Sequence, residues 1–141
     1  MDIFTREKRS QVMSRVRGKD TKPELTVRRF LHSRGLRYRL HRRDLPGKPD
    51  LVFPSQRIAV FVNGCFWHQH SGCPKSSLPR TRHDFWKAKL QSNILRDQKV
   101  QDELRAMNWR PLIVWECGLG LKELELLELK IRGMAVSEAE N

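Results

Sequence analysis

Cys65, His70 and Cys73 form a Cys-x4-His-x2-Cys array in a stretch that also holds Gly64, Gly72, Pro74 and Pro79. Three thiolates and one imidazole make the tetrahedral set that zinc favours, provided Cys117 reaches the loop from elsewhere in the chain. Such a set leaves no open position, so the metal would be structural and would pin the loop to the fold. His68 competes with His70 for the imidazole place, and spacing does not separate them. The plain alternative is three reduced thiols, two of them buried as small apolar side chains. A disulfide framework is a poor reading, because three cysteines cannot all pair with one another.

Asp50 follows Leu45-Pro46-Gly47-Lys48-Pro49, a turn-rich segment that would present its carboxylate at the mouth of a sheet. Runs at 50–53 and 57–62 flank Pro54-Ser55-Gln56 and predict a β-hairpin. A turn centred near Ser55–Gln56 puts residue 61 or 62 opposite Asp50 and brings a backbone carbonyl beside its carboxylate. Those are two hard oxygen ligands of the kind Mg²⁺ takes, with water and phosphate oxygens completing its octahedron. Glu24 could add a second carboxylate, although a capping role also explains it. His68 lies among Asn63, Gly64, Phe66 and Trp67 near the same hairpin end. An imidazole there could take a proton from water; a loop histidine or zinc ligand is the bland reading. Phe66 and Trp67 sit in a polar loop, and Trp86 sits among Arg80, Arg82, Lys87 and Lys89, an interleaving that suits rings pushed between base pairs. Trp109, Trp115, Phe53 and Phe61 are expected in the core.

The elements that must position these groups follow from local signals. Thr21-Lys22-Pro23-Glu24 carries an N-cap, an early proline and a glutamate three residues after the cap, so a helix starts there and stops near Gly35. An extended piece spans 36–40, and an irregular loop spans 64–80. Helical sequence runs from about Arg82 to Met107, with a break expected at Ser92-Asn93. Residues 109–116 read as another strand, and Leu124, Leu127 and Ile131 give helical spacing in 121–131. The order predicts a small mixed α/β domain with helices covering its sheet. The expected organisation is a basic arm over 1–19, possessing helical potential from Arg6 to Val16, one domain over 20–134 and a disordered tail over 135–141.

Charge points to the partner. The 141 residues carry 28 Lys and Arg against 16 Asp and Glu, a formal +12. Residues 1–50 alone hold 15 basic and 6 acidic side chains. A nucleic acid is the polyanion such a surface would meet, through counterion release as phosphates are neutralised. Arg15, Arg17 and Lys19 in the arm, and Lys48 in the proline-rich turn, are the cations expected to touch it. No apolar run approaches the roughly 20 residues that span a bilayer, and the first residues lack a signal peptide's apolar stretch. A cytoplasmic, nucleoid-associated monomer with no membrane contact is expected.

Taken in order, the pieces resemble a known family. Arg9-Ser10-x-x-Met13-Ser14, Lys19-Asp20-Thr21-x-Pro23-Glu24, Leu45 to Asp50, Asn63-Gly64-Cys65-Phe66-Trp67-His68 and Val114-Trp115-Glu116-Cys117 are similar to the very short patch repair endonucleases, from about Arg6 to Cys117. The resemblance implies a fold like the type II restriction endonucleases and a nick 5′ to the thymine of a T·G mismatch, the product of 5-methylcytosine deamination. It implies that Asp50 holds Mg²⁺, two ions in all, with the Val62 backbone carbonyl as the other protein ligand. Glu24 would act near the metals through water, and His68 would activate water. Phe66, Trp67 and Trp86 would form an aromatic wedge, and Cys65, His70, Cys73 and Cys117 would bind a structural Zn²⁺, which favours His70 over His68. Mismatched double-stranded DNA is the implied partner. A cytosine methyltransferase and other repair proteins are implied associates.

Two departures bear on these expectations. The family prototype has His where this chain has Asn63, so a phosphate contact there would be made by an amide or lost. Ser71-Gly72 adds one residue before Cys73 and changes the loop without removing a ligand. Two rivals remain: a zinc-stabilised DNA-binding protein without catalysis, and a nuclease of the same fold acting on a different DNA substrate.

Overall fold

A computed structural model describes residues 21–40 and 42–133. The arm over 1–19 and the tail over 135–141 lie outside the described residues. The elements are α1 (Lys22–Ser33), β1 (Arg39–Leu40), β2 (Leu51–Phe53), β3 (Ile58–Asn63), a 3-10 turn (Pro74–Ser76), α2 (His83–Ala106), β4 (Arg110–Trp115) and α3 (Leu121–Arg132). Thr21 caps α1 as its sequence requires, its Oγ1 accepting from the Glu24 N–H at 3.4 Å, and Pro23 stands in the first turn. The helix ends where Gly35 turns left-handed at φ +79° and the Leu36 N–H reaches back to the Leu31 carbonyl.

The strands form one mixed sheet in the order β1-β2-β3-β4. β1–β2 and β2–β3 are antiparallel, and β3–β4 is parallel, with Ile58 opposite Arg110 and Asn63 opposite Trp115. Alternation along the strands divides the core between two faces. Leu51, Phe53, Ile58, Val60 and Leu112 pack with Val27 and Leu31 of α1 and Leu124, Leu127 and Ile131 of α3. Val52 and Ala59 face the other way, onto Leu104 of α2, Leu45 and Trp109, with Phe61 and Val100 beside them. Helices therefore cover both faces, and the sheet is the middle layer.

Two expectations are corrected. α2 runs unbroken for 24 residues through Ser92-Asn93, a span of about 36 Å. No Gly or Pro interrupts it, and the Asn93 side chain donates to the Trp67 carbonyl at 3.1 Å instead of competing for its own helix backbone. Trp115 is only partly buried: at the end of β4 it leaves the core and stacks on His70, centroids 4.2 Å apart and planes 9° from parallel. Phe53 and Trp109 are in the core, and Phe61 packs at its edge.

Gly47 explains how the turn before β2 is held. At φ +75° it lies so close to α2 that an added Cβ would come within 2.4 Å of Val100 Cγ1. The neighbouring Lys48 is also left-handed, at φ 50°. This tight approach fixes where Asp50 enters the sheet.

Candidate functional site

The hairpin register sets the first carboxylate. Leu51 pairs with Val60, and the Asp50 N–H donates to the Val60 carbonyl at 3.0 Å, so Asp50 lies across from Phe61. That is the register a turn at Ser55–Gln56 requires. The Val62 N–H donates to Asp50 Oδ2 at 2.7 Å and orients the carboxyl group. Glu24, 2% exposed, approaches from the first turn of α1, hydrogen-bonds Asp50 and pairs with Arg28. Its carboxylate thus does more than cap a helix. Burial, and then the Glu24 carboxyl beside it, push Asp50 up to about 7 against the opposing pull of the Val62 N–H and the Arg28 guanidinium. Two carboxylates held together beside open space suit a hard cation with oxygen ligands.

That open space is a cavity of about 640 Å³, lined among others by Glu24, Lys48, Asp50, Val62, Asn63 and His68. Asn63, 6% exposed, brings an amide to the lining. His68 Nδ1 lies 2.6 Å from Asp97 Oδ2, which leaves Nε2 as the other ring nitrogen for exchange with a solvent molecule or ligand. Asp97 also lines the cavity, as do Asn93, Arg96 and Glu116.

The rings gather at one side of the cavity. Phe66, Trp67 and Trp86 pack edge to face in a triangle with centroids 5.2 to 5.8 Å apart. Phe85, 45% exposed, adds a fourth ring against Trp86 at 5.2 Å, and the Arg82 guanidinium sits 4.2 Å over its face. One side of α2 holds three successive loop residues: Trp86 touches Phe66 and Trp67, Asn93 holds the Trp67 carbonyl, and Asp97 holds His68.

Behind this loop, the ligand atoms of Cys65, His70, Cys73 and Cys117 lie within 4.8 Å of one another. His70 Nδ1 is 3.6 Å from Cys65 Sγ and 3.3 Å from Cys117 Sγ. A tetrahedron with Zn–S near 2.3 Å and Zn–N near 2.0 Å separates its ligand atoms by roughly 3.5 to 3.8 Å, so the cluster is consistent with a structural zinc. Its chemistry also fits, since four donors close the coordination shell. Burial pushes the Cys65 thiol up to about 12, while the Lys75 backbone N–H holds Cys73 below the usual thiol range. His70 stands in the cluster, whereas His68 pairs with Asp97. Glu116 ties this loop to β3: its N–H donates to the Asn63 carbonyl at 3.0 Å and its Oε1 accepts from the Cys65 N–H at 3.1 Å.

Of the residues singled out from the sequence, Glu24, Lys48, Asp50, Val62, Asn63, Trp67 and His68 line one cavity, with Phe66 and Trp86 against Trp67. Arg15, Arg17 and Lys19 lie outside the described residues. Sequence reasoning missed Phe85, Asp97 and Glu116. The dipeptide Phe85-Trp86 among cations was a usable signal for the first; Asp97 reads in sequence as one more charge on a solvated helix.

The family model for the DNA mismatch endonuclease Vsr matches residues 1–75. The chain is 48% identical over 133 residues to the type II nicking enzyme V.XorIIP of Xanthomonas oryzae pv. oryzae, covering 94% of this chain and 96% of that protein. It is 44% identical over 123 residues to the type II nicking enzyme V.NmeAIP of Neisseria meningitidis serogroup A, covering 87% of each. With the DNA mismatch endonuclease Vsr of Escherichia coli the identity is 38% over 122 residues, 86% of this chain and 78% of that protein. With nearly full-length similarity joined to a zinc-type cluster and a carboxylate cavity, the chain belongs to the Vsr family of DNA nicking endonucleases.

Proposed function

We propose that the chain uses Mg²⁺ to nick one strand of duplex DNA 5′ to the thymine of a T·G mismatch, and that the sheet and its helices are a variant of the restriction-endonuclease fold. The observation that carries this reading is the meeting of Asp50, Glu24 and His68 in one cavity beside the Phe66–Trp67–Trp86 triangle. Asp50 and the Val62 carbonyl would hold the cation, with Glu24 acting through water. Bound there, Mg²⁺ ions, two in the full reading, would neutralise phosphate charge and make water more acidic.

The chain's own groups do the rest. The Val62 N–H fixes the Asp50 carboxylate, and Asp97 fixes the His68 ring so that Nε2 can take a proton from the attacking water. The Asn63 amide and Lys48 ammonium donate to phosphate oxygens. The aromatic triangle enters the stack beside the mismatch, at a cost offset by contacts to the bent duplex. Arg15, Arg17 and Lys19 grip the backbone from the arm over 1–19, and residues 20–134 form the nicking domain. A nicking assay on T·G duplexes with Mg²⁺ tests the reading. Asp50→Ala should abolish cleavage while binding persists, and an Asp50→Ala protein as active as the parent would end it.

A second reading keeps the chemistry and changes the substrate. It is favoured by the higher identity to two proteins named type II nicking enzymes than to the Escherichia coli mismatch endonuclease. Cleavage of matched and T·G duplexes in several flanking sequences separates the two: rapid nicking of matched DNA supports the second. The binding-only alternative is set aside by membership in a nicking family.

A further inference from the structure

The carboxylate pair in the cavity has a cation behind it that the proposed reaction does not use. Arg28 lies one helical turn after Glu24 on α1, with its side chain 13% exposed, and its guanidinium pairs with the Glu24 carboxylate, 3% exposed. Glu24 hydrogen-bonds Asp50, and Asp50 accepts from the Val62 N–H. Guanidinium, carboxyl, carboxyl and amide therefore stand in a row. Glu24 and Asp50 line the cavity, whereas Arg28 is not among its lining residues and meets the pair from the protein side. The Arg28 turn is itself anchored: the Tyr38 hydroxyl donates to the Arg28 carbonyl at 3.4 Å, and the Tyr38 ring packs edge-on against Phe53 of the core.

We propose that Arg28 is a positioning residue, the standing counter-charge of the Glu24–Asp50 pair, which holds Glu24 toward the cavity and limits how tightly the pair draws a divalent cation. This rests on the reading of Asp50 as a cation ligand. Two buried carboxylates side by side are costly without a positive partner, and breaking a buried ion pair leaves that cost uncompensated. With Arg28 present, the empty cavity is tolerable. An entering cation then meets a pair that is already partly neutralised and binds less tightly than it would to bare carboxylates. The competing possibility is that Arg28 only fastens α1, in which case its loss would lower stability equally with and without the cation.

The test uses the zinc-loaded full chain, with Mg²⁺ alone as the probe, and compares the parent with Arg28→Met, which keeps the stem and drops the charge. Without added Mg²⁺, Arg28→Met should melt several degrees lower. Mg²⁺ should raise its Tm more than the parent's, and calorimetry should give a Kd for Mg²⁺ lower by roughly three- to tenfold. Arg28→Lys should stay near the parent on both measures. An Mg²⁺-induced rise and a Kd unchanged in Arg28→Met would overturn the proposal, as would Arg28→Lys behaving like Arg28→Met. If Arg28→Met does not fold, Arg28→Gln takes its place with the same expectation. Asp50→Asn is the control: if it keeps the parent's Mg²⁺ response, or the parent has none, the reading of Asp50 has failed and this proposal falls with it.

Discussion

At the level of single residues, the proposed cation role sets opposite demands on Asp50 with and without Mg²⁺. Its folded-state pKa is raised to about 7, chiefly by burial and by Glu24. A raised pKa means that the folded chain holds the proton more tightly than the unfolded one, so the stability from this group is full below about pH 4 and is lost as pH climbs through about 7. Melts without added Mg²⁺ between those limits should show the parent losing stability relative to Asp50→Asn. Near pH 8 the variant should be the more stable by on the order of 1–3 kcal/mol, while its nicking falls by at least about a thousandfold. Asp97→Asn should leave duplex affinity nearly intact and lower the nicking rate roughly 10- to 1000-fold, because His68 loses the partner that fixes its ring. Asp50 was legible from a proline-rich turn and one hairpin. Asp97 was not, since it stands 29 positions after His68 on a different element, and only the packed helix brings them together.

Among elements, α2 and the loop before it work as one unit. The helix presents Trp86, Asn93 and Asp97 to Phe66, Trp67 and His68, and the thiol cluster closes the loop from behind. Cys73→Ser should therefore release zinc, lower Tm by on the order of 10 °C and reduce nicking of T·G duplexes even though Asp50 is untouched; metal analysis, melting and cleavage on one preparation check this. Gly47→Ala should cost about 1–3 kcal/mol in chemical denaturation, because the left-handed backbone and the contact with Val100 both resist a methyl group. Helix starts and hairpins were readable because they depend on neighbours: Thr21, Pro23 and Glu24 for α1, and Pro54-Ser55-Gln56 for the turn. The break expected at Ser92-Asn93 was wrong because propensity sees only the helix, whereas Asn93 is used by the Trp67 carbonyl. Trp115 was placed in the core by its size, and left it because β4 ends beside His70. Such outcomes belong to tertiary contacts, which local sequence does not encode.

For the whole molecule, the formal +12 concentrated toward the N-terminus makes association strongly dependent on salt. Removing residues 1–19, which contain six Lys and Arg, should reduce the slope of log K against log salt by about 3 to 5 and weaken matched and mismatched duplexes alike. A loss confined to T·G duplexes would mean that the arm reads the lesion instead of the backbone. β3 and β4 leave the sheet side by side, with Asn63 opposite Trp115. Within two residues of those ends the chain changes from oxygen donors to sulfur donors. On the proposed reading the two donor sets would sort ions by softness: thiophilic cadmium should settle among the cysteines and leave the carboxylates to magnesium or manganese, so a buffer contaminated with soft metals should change the occupant of the thiol cluster without stopping cleavage.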